Sequence, residues 1–357
     1  MITNIQLKNF RNYANLSLGF QKKTNLLIGT NGQGKTNLLE AIFFIGMLRS
    51  FRTSSIRDLQ KVGTKNFFLS ASVDRGRGWD ELLEVEYAEK RRLRIDSAPI
   101  QKASEFIGNI KTVSFSPSDI MLVTESTGQR RRFLNMLISS FSKPYLAALN
   151  EYAQALKMRN TLLKASRVDA ATISAFEHIM AKSGSAVVKQ RKKVLGALSG
   201  EMLSLITEIK GGSPVFSIKY NHHPATSGEE SFSAKLANER TKETARGYSL
   251  FGPHLDDFEF ILEDKSLRHF GSTGQCRLAS LCLKMAAVNI LREDNSQVIT
   301  LVDDVTGDLD AKTRDAFLKI ISKSEQSFFT FTEKPEDEYF SDVATFAIEN
   351  GQVTVIK

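Results

Sequence analysis

One segment near the start of the sequence restricts the fold more than any other feature. Residues 29–36 read Gly-Thr-Asn-Gly-Gln-Gly-Lys-Thr and fit the pattern Gly-x-x-x-x-Gly-Lys-[Ser/Thr]. The preceding residues 25–28 form a short apolar run typical of a buried strand, and apolar residues recur at helical spacing from 35 to about 47. Strand, glycine-rich loop and helix in this order predict the phosphate loop of an α/β nucleotide-binding protein.

The chemistry of such a loop assigns roles to its residues. Glycines let consecutive backbone N–H groups point inward at phosphate oxygens, and the following helix adds the positive end of its dipole. Lys35 is predicted to reach the β- and γ-phosphates, and the Thr36 hydroxyl to bind Mg²⁺. The predicted ATP-binding residues of the loop are Gly29, Thr30, Asn31, Gly32, Gln33, Gly34, Lys35 and Thr36.

A pair of acids supplies the second part of a nucleotide site. Asp303 and Asp304 follow the continuous apolar run 298–302, which is typical of a strand buried on both faces. We expect this strand to neighbour the one before the phosphate loop. Asp303 is then predicted to position the metal, and Asp304 to orient or deprotonate the attacking water. The alternative is an acidic pair that only caps a turn.

The distance between the two motifs predicts the domain organisation. Lys35 and Asp303 are 268 residues apart, and the windows between about 130 and 210 are almost all helical. We expect an α/β head built from both chain ends, residues 1–115 and 245–357, with an inserted helical lobe at 116–244. The polar stretch 226–244 is predicted to be a loop or a mobile helix.

Composition narrows the classes of partner. The formal net charge is +8, and residues 157–210 hold ten lysines and arginines against four acids, which favours a polyanion such as DNA. Only two cysteines, Cys276 and Cys282, are present, so neither a zinc tetrad nor a disulfide framework is expected. No run of 18 apolar residues occurs, and we expect a cytoplasmic protein that crosses no membrane.

A second anion-binding segment precedes a long apolar helix. Ser272, Gly274 and Gln275 resemble the signature motif of ABC-type ATPases, in which a helix start of one subunit caps the γ-phosphate held by the other. Taken alone, the segment would indicate a plain helix N-cap. Set between the phosphate loop and the acidic pair, it favours an ATP-dependent homodimer in which Ser272 takes part in catalysis. Thr332 stands where ABC ATPases place their switch histidine.

Motifs along the whole chain resemble the bacterial RecF recombination-mediator family, in order and spacing. They are residues 7–13 (Leu-Lys-Asn-Phe-Arg-Asn-Tyr), 29–42, 50–53 (Ser-Phe-Arg-Thr), 115–117 (Phe-Ser-Pro), 131–134, 159–163, 252–254 (Gly-Pro-His), 274–275 with Arg277, and 303–305 (Asp-Asp-Val).

The resemblance implies an SMC-like ABC ATPase head with an inserted helical lobe and no long coiled coil. It implies a protein that dimerises on ATP, binds double-stranded DNA or ss/ds junctions, and works with RecR and RecO to load recombinase at gaps in DNA repair. Arg11 and Asn12 are implied to lie near the nucleotide. The short Asp304, where many ABC ATPases carry Glu, fits slow hydrolysis, which is expected to be DNA-stimulated.

Two other functions stay open at this point: an ABC transporter ATPase subunit, and a scaffold that binds nucleotide without hydrolysing it.

Three further groups of residues have plainer interpretations. His222 and His223 are interpreted as surface residues, because adjacent strand residues face opposite sides. His254, with Asp256 and Asp257, is interpreted as a hydrogen-bonded loop. The basic run 189–193 is either a solvated helix face or a DNA contact.

Overall fold

The computed structural model describes residues 1–125, 127–165, 169–293, 297–305, 307, 309–335, 340 and 342–356. The chain divides into two units. The first comprises Met1–Asp119 with Leu281–Lys357, and the second comprises Ile120–Ser280. Both ends of the chain therefore build one unit, and the middle builds the other.

The first unit is mainly β-structure before the insertion and α/β after it. Its elements are β1 (Ile2–Phe10), β2 (Tyr13–Gly19), β3 (Thr24–Ile28), α1 (Lys35–Met47), β4 (Phe67–Asp74), β5 (Asp80–Tyr87), β6 (Arg91–Ile95), β7 (Ala98–Ile100), α2 (Ala103–Phe106) and β8 (Lys111–Phe115). The second unit holds α3 (Met121–Thr124), α4 (Thr127–Phe141), α5 (Lys143–Leu163), α6 (Ala170–Lys210), β9 (Phe216–Asn221), α7 (Glu229–Arg246), β10 (Asp257–Leu262), β11 (Lys265–Ser266) and α8 (Leu267–Phe270). Helix α9 (Thr273–Glu293) begins in the second unit and ends in the first, followed by β12 (Val298–Asp303), α10 (Ala311–Ile321), β13 (Gln326–Phe331), β14 (Val343–Glu349) and β15 (Gln352–Ile356).

One sheet of the first unit carries the phosphate loop. Its strand order is β15-β14-β3-β13-β12-β8, and all neighbours are parallel except the β14–β15 hairpin. Strand β12 is buried along most of its length, as its continuous apolar sequence predicts. The expectation that β12 lies directly beside β3 is wrong, because β13 lies between them.

The other sheet of this unit is antiparallel, in the order β2-β1-β4-β5-β6-β7. Along β1, Ile5 and Leu7 are fully buried while Gln6 and Lys8 are exposed, which is the alternation of a sheet with one solvated face. Helix α1 packs against strands of both sheets. Eleven of its thirteen residues are buried, which explains why its sequence is apolar on nearly every side.

The second unit is built around helices α5 and α6, which pack along each other. Its apolar core includes Tyr152, Met180, Phe232, Leu236 and Phe251. The polar stretch expected to be a loop or mobile helix is the 18-residue α7, whose buried Phe232 and Leu236 dock it on this core. Strand β9 was not predicted from the sequence; it pairs with β10 in a three-stranded sheet.

Two arginines of the basic lobe are buried inside this unit. Arg159 is 0% exposed and contacts Glu177 at 2.9 Å and Glu243 at 2.6 Å. Arg191 is 2% exposed and donates to Asp256 at 3.1 Å. The interpretation of residues 189–193 as one basic face is therefore wrong for Arg191, which is used in the core.

The loop before β10 is held by hydrogen bonds, as the plainer interpretation of His254 predicts. The Tyr152 hydroxyl lies 2.6 Å from Nδ1 of His254. Burial lowers the pKa of His254 to about 4, so the imidazole is neutral at pH 7 and can accept from the tyrosine. Asp257 binds Arg130 through both carboxylate oxygens, at 2.7 and 2.9 Å.

The structure differs from the predicted domain limits at the second junction. The head was expected to resume at residue 245, but residues up to 280 belong to the second unit because β10 pairs with β9. The first junction falls after 119, close to the expected 115. Among the described residues, no helix is long and apolar enough to cross a membrane.

Candidate ATP-binding site

The phosphate loop leaves β3 and enters α1 with backbone conformations that glycine permits. Gly34 has φ of 120°, and a Cβ there would lie 2.6 Å from Nδ2 of Asn12. A Cβ at Gly29 would overlap the carbonyl oxygen of Ile348 in β14. Gly32 has φ of 82° and open space around it. Two of the three glycines are thus required by the surrounding protein, before any ligand is considered.

The Lys35 side chain folds back across the phosphate loop. Its ammonium donates to the carbonyl oxygens of Gly29 and, at 2.9 Å, Thr30. Burial lowers the pKa of Lys35, and the nearby carboxylates of Asp304 and Asp303 oppose that shift. The side chain is therefore held inside the loop, beside both acids, where a phosphate would replace the carbonyls as its partner.

Asp303 and Thr36 meet, as the sequence predicted. Thr36 Oγ1 lies 2.9 Å from each carboxylate oxygen of Asp303, although the two residues are 267 positions apart. Thr330 of β13 donates its hydroxyl to Asp303 at 2.9 Å. The intervening strand thus contributes a hydroxyl that joins the loop side of the site to the acidic side.

The residues around Asp303 fit a magnesium ion. Burial raises the pKa of the Asp303 carboxyl, and the hydroxyls of Thr330 and Thr36 oppose this shift. The half-buried carboxylate of Asp303 and the Thr36 hydroxyl offer the hard oxygen donors that Mg²⁺ prefers. Thr36 and Asp303 would hold the ion, which would supply positive charge to the β- and γ-phosphates.

Asp304 follows directly at the end of β12. Its φ is 54°, a left-handed conformation that Asp tolerates better than most residues, and its N–H donates to Thr330 Oγ1 at 3.1 Å. The side chain is exposed, unlike that of Asp303. The backbone turn after Asp303 therefore sends the two carboxylates into different environments, one half-buried beside Thr36 and one open to water.

The turn between β1 and β2 touches the loop. Asn12 Nδ2 donates to the Gln33 carbonyl at 2.9 Å, and the Tyr13 hydroxyl donates to the Gly34 carbonyl at 3.0 Å. Asn37 of α1 donates to Asn12 Oδ1 at 2.8 Å. Asn12 therefore lies at the phosphate loop, and the implied place of Asn12 near the nucleotide stays a prediction.

Arg11 has a partner within the protein. Its guanidinium binds both oxygens of Glu40 at 2.8 Å, and the Glu40 side chain is fully buried in α1. Ser50 also donates to Glu40, and Arg52 lies 3.7 Å from it. The Arg11–Glu40 ion pair joins α1 to the β1–β2 turn, and the prediction that Arg11 lies near the nucleotide stays a prediction.

The second anion-binding segment lies in the other unit and is exposed. The Ser272 N–H donates to Gln275 Oε1 at 2.8 Å, and the Gln275 N–H donates to Ser272 Oγ at 3.2 Å. These reciprocal bonds form a capping box at the start of α9. Gly274 has open space where a Cβ would be. Within the chain the segment is thus a helix cap, the plainer of the two interpretations.

The structure gives only partial information on two other predicted site segments, Thr332 and residues 307–310. Thr332 is exposed, just beyond the end of β13. By its place in the sequence, just after the acidic pair, the segment 307–310 is predicted to match the D-loop of ABC ATPases, and its Asp308 lies outside the described residues. Among the described residues, no group of three or more His, Cys, Asp and Glu side chains could hold a metal ion. His222 and His223, interpreted as surface residues, are both half-buried.

Comparison with known proteins identifies the family. The family model described as RecF/RecN/SMC N terminal domain matches residues 1–338. A protein of Ruminiclostridium cellulolyticum named DNA replication and repair protein RecF is 33% identical to the chain and covers 99% of each sequence. The chain belongs to the RecF family. A relative with the same name from Clostridioides difficile is 31% identical and covers 100% of this chain and 98% of its own.

Solved structures agree. One described as the recombination mediator protein RecF with ATP, in the RecFOR pathway, matches with a TM-score of 0.91 at 30% identity, covering 100% of this chain and 97% of that one. An Smc head domain from Pyrococcus furiosus matches with a TM-score of 0.55 at 17% identity, covering 99% and 95%, and supports the fold alone. The predicted family and the predicted SMC-like ATPase fold are confirmed, and ATP binding and ATPase activity in general are supported.

Sequence reasoning missed two residues that organise this RecF-family site. Glu40 had a detectable signal, because a carboxylate within an otherwise apolar helix needs a buried partner. Thr330 had none, since a threonine in a β-strand is ordinary. Its contact with Asp303 depends on the strand order, which puts β13 beside β12.

Glu40→Gln should destabilise the protein. The neutral amide leaves the guanidinium of Arg11 without its anionic partner, and Arg52 loses the same carboxylate. We expect a loss of about 2 kcal/mol, below the ~3–5 kcal/mol typical of a broken, fully buried pair, because Arg11 is partly exposed. The free energy of unfolding, from urea titration, gives the measurement.

Glu86→Gln is the matched control. Glu86 faces two arginines as well, Arg92 at 3.8 Å and Arg94 at 3.6 Å, but on the solvated side of the sheet. Its loss should cost less than about 1 kcal/mol. Equal effects of the two changes would contradict the role given to Glu40.

Proposed function

We propose that this RecF-family protein is an ATP-gated homodimer of DNA repair and replication restart. ATP joins two heads, the dimer binds double-stranded DNA or ss/ds junctions and helps to load recombinase at gaps, and slow, DNA-stimulated hydrolysis releases it. The observation that carries the proposal is the meeting of Thr36 with Asp303 at 2.9 Å, which assembles an ATP and Mg²⁺ site from the two chain ends. RecR and RecO are the expected partners, in line with the RecFOR pathway named for the similar solved structure.

The hydrolytic step is assigned to Asp304 and Lys35. Asp304 is the exposed acid at the edge of the site, so its carboxylate is available to a water that attacks the γ-phosphate. Lys35 would neutralise charge that develops on the phosphates. Thr332, exposed at the end of β13, is proposed as the residue that senses the γ-phosphate through its hydroxyl.

Dimerisation is assigned to the start of α9. Ser272, Gly274 and Gln275 are all exposed, and the capping box directs the helix start outward. Glycine in a helix is less stable than alanine by up to ~1 kcal/mol, and nothing within this chain excludes a Cβ at Gly274. A close neighbour outside the chain, such as the γ-phosphate bound to a second copy, would account for the glycine.

DNA binding is assigned to one exposed face of α6. Lys182, Lys189 and Lys193 recur at spacings of seven and four residues, so they share a face of the helix. Gly196 and Gly200 continue that face, and both have open space around them. Lysines beside small residues would let a phosphate backbone approach closely, without reading bases.

The other two functions have less support. The transporter alternative does not fit a chain that matches RecF relatives over its full length. The scaffold alternative needs a site without a hydrolytic acid, whereas Asp304 stands at the edge of this one. Release of inorganic phosphate, measured with and without duplex DNA, tests this alternative directly.

Asp304→Asn should retain ATP binding and ATP-dependent dimerisation but slow phosphate release by about 100-fold or more, since an amide cannot act as a base. Asparagine accepts the positive φ of this position readily, so the fold is preserved. Asp264→Asn is the control, because Asp264 also has positive φ, 62°, in a surface turn. Phosphate release by the Asp304 variant at the wild-type rate would refute the assignment.

Gly274→Asp should abolish ATP-dependent dimerisation, because its carboxylate would repel the γ-phosphate bound to the second copy. An acidic residue in the first turn of α9 is compatible with the helix dipole, so the variant should fold and bind ATP. Gly196→Asp makes the same change on another exposed helix and should dimerise normally with ATP. Sedimentation with ATP and with ADP measures both; a dimeric Gly274 variant would exclude the trans-capping role.

Replacing both Lys189 and Lys193 by Gln should weaken duplex DNA binding. Loss of two phosphate contacts should reduce the slope of log K against log salt by about 1.8. The same double change at Lys312 and Lys319, exposed on α10 of the other unit, should leave the slope unchanged. Fluorescence anisotropy over a salt series measures the slopes, and identical slopes for the two double variants would rule out α6 as the DNA surface.

A further inference from the structure

The phosphate-loop residue Gln33 is held from two sides. Its carbonyl accepts a hydrogen bond from Asn12 Nδ2 at 2.9 Å and a second from the Gly351 N–H at 3.0 Å. Its side-chain Oε1 accepts from the Asn350 N–H at 2.6 Å. Asn12 belongs to the turn between β1 and β2, while Asn350 and Gly351 form the turn between β14 and β15.

These bonds fix the direction of one peptide group. A trans peptide is planar, with its carbonyl and N–H pointing in opposite directions. Holding the Gln33 carbonyl outward therefore directs the Gly34 N–H the other way, toward the inside of the loop. The next carbonyl, that of Gly34, is fixed in turn by the Tyr13 hydroxyl at 3.0 Å. Inward-pointing N–H groups are what a phosphate loop uses to bind anions.

The β14–β15 turn reaches the loop because of the strand order. Strand β14 runs parallel to β3 and pairs with it from Val343↔Thr24 to Ala347↔Ile28, so both strands end at the same edge of the sheet. Asn350 and Gly351 have φ of 49° and 75°, the values of a type I′ hairpin turn. That turn presents two successive N–H groups to Gln33.

The contact is also close. A Cβ added to Gly351 would lie 3.1 Å from the carbonyl oxygen of Asn12 and 3.3 Å from its Nδ2. The same two turns therefore touch each other as well as Gln33, and glycine is the residue that permits this approach.

We propose that the β14–β15 turn is a positioning element of the ATP site. The N–H groups of Asn350 and Gly351 hold the Gln33–Gly34 peptide in its phosphate-binding orientation, and Asn12 completes the clamp from the other side. The inference rests on the ATP-binding part of the proposed function, and on neither dimerisation nor DNA binding.

Gly351→Ala tests the clamp. The added methyl pushes the turn away from Asn12 and Gln33, and the affinity for ADP should fall about tenfold, as for the loss of one charge-assisted hydrogen bond. Gly76→Ala is the matched control, since Gly76 also has positive φ, 69°, in a hairpin turn but has open space around it. Calorimetric titration with ADP reports on the monomer, so failure of the dimer or DNA proposals would leave this result unaffected.

Gln33→Met provides a second route that leaves the turn itself unchanged. It removes the Oε1 acceptor of the Asn350 N–H, and ADP affinity should fall about threefold, a part of one hydrogen bond. If the turn acts through Gln33, the variant with both substitutions should lose ADP affinity by a factor smaller than the product of the two single factors. A purely structural role of the turn would lower the unfolding midpoint without this coupling.

Two results would overturn the proposal. One is ADP affinity of both the Gly351 and Gln33 variants equal to that of the Gly76 control. The other is independent, multiplicative losses in the double variant. If Gly351→Ala fails to fold, the Gln33 variant decides alone: wild-type ADP affinity would refute the clamp, and a threefold loss at an unchanged unfolding midpoint would support it.

Discussion

The nucleotide site depends on one contact, between the Thr36 hydroxyl and the carboxylate of Asp303. Two segments separated by 267 residues can meet only if the chain ends fold into a single unit and the middle is excluded from it. The parallel sheet satisfies this condition, because β3, β12 and β13 all end at one edge. The hydroxyls of Thr36 and Thr330 offset part of the cost of partly burying Asp303, although burial still leaves its pKa raised.

Around this contact, hydrogen bonds from side chains outside the phosphate loop hold the loop in place. Asn12 and Tyr13 hold loop carbonyls, and Glu40 ties Arg11 to α1. These groups come from β1, β2 and α1, which belong to the antiparallel sheet and the helix between the sheets. The β-rich start of the chain is therefore a part of the ATP site, and this explains why the loop is preceded by two strands that carry no catalytic residue.

Local sequence patterns were sufficient to predict structural features that lie within a single helix or strand. The limits of α1, 35 to 47, and the buried strand at 298–302 were both predicted, because a helical apolar pattern defines the first and a continuous apolar run the second. The sequence did not predict features that depend on tertiary contacts. Arg191 looks like a surface cation in the basic run, yet it lies in the core, because its partner Asp256 is 65 positions away. The place of β13 between β3 and β12, and with it the role of Thr330, follows from strand order, which no local pattern encodes.

Gly29 shows that a neighbouring strand, as well as a ligand, can require a particular residue in a binding motif. Its lack of a side chain is demanded by the carbonyl of Ile348, on a strand reached only near the end of the chain. Any larger residue at that position would separate β14 from β3 before a nucleotide arrived. The first glycine of this pattern is thus evidence about sheet assembly. In this protein, replacing Gly29 by a larger residue would impair folding, and ATP binding would be lost as a consequence.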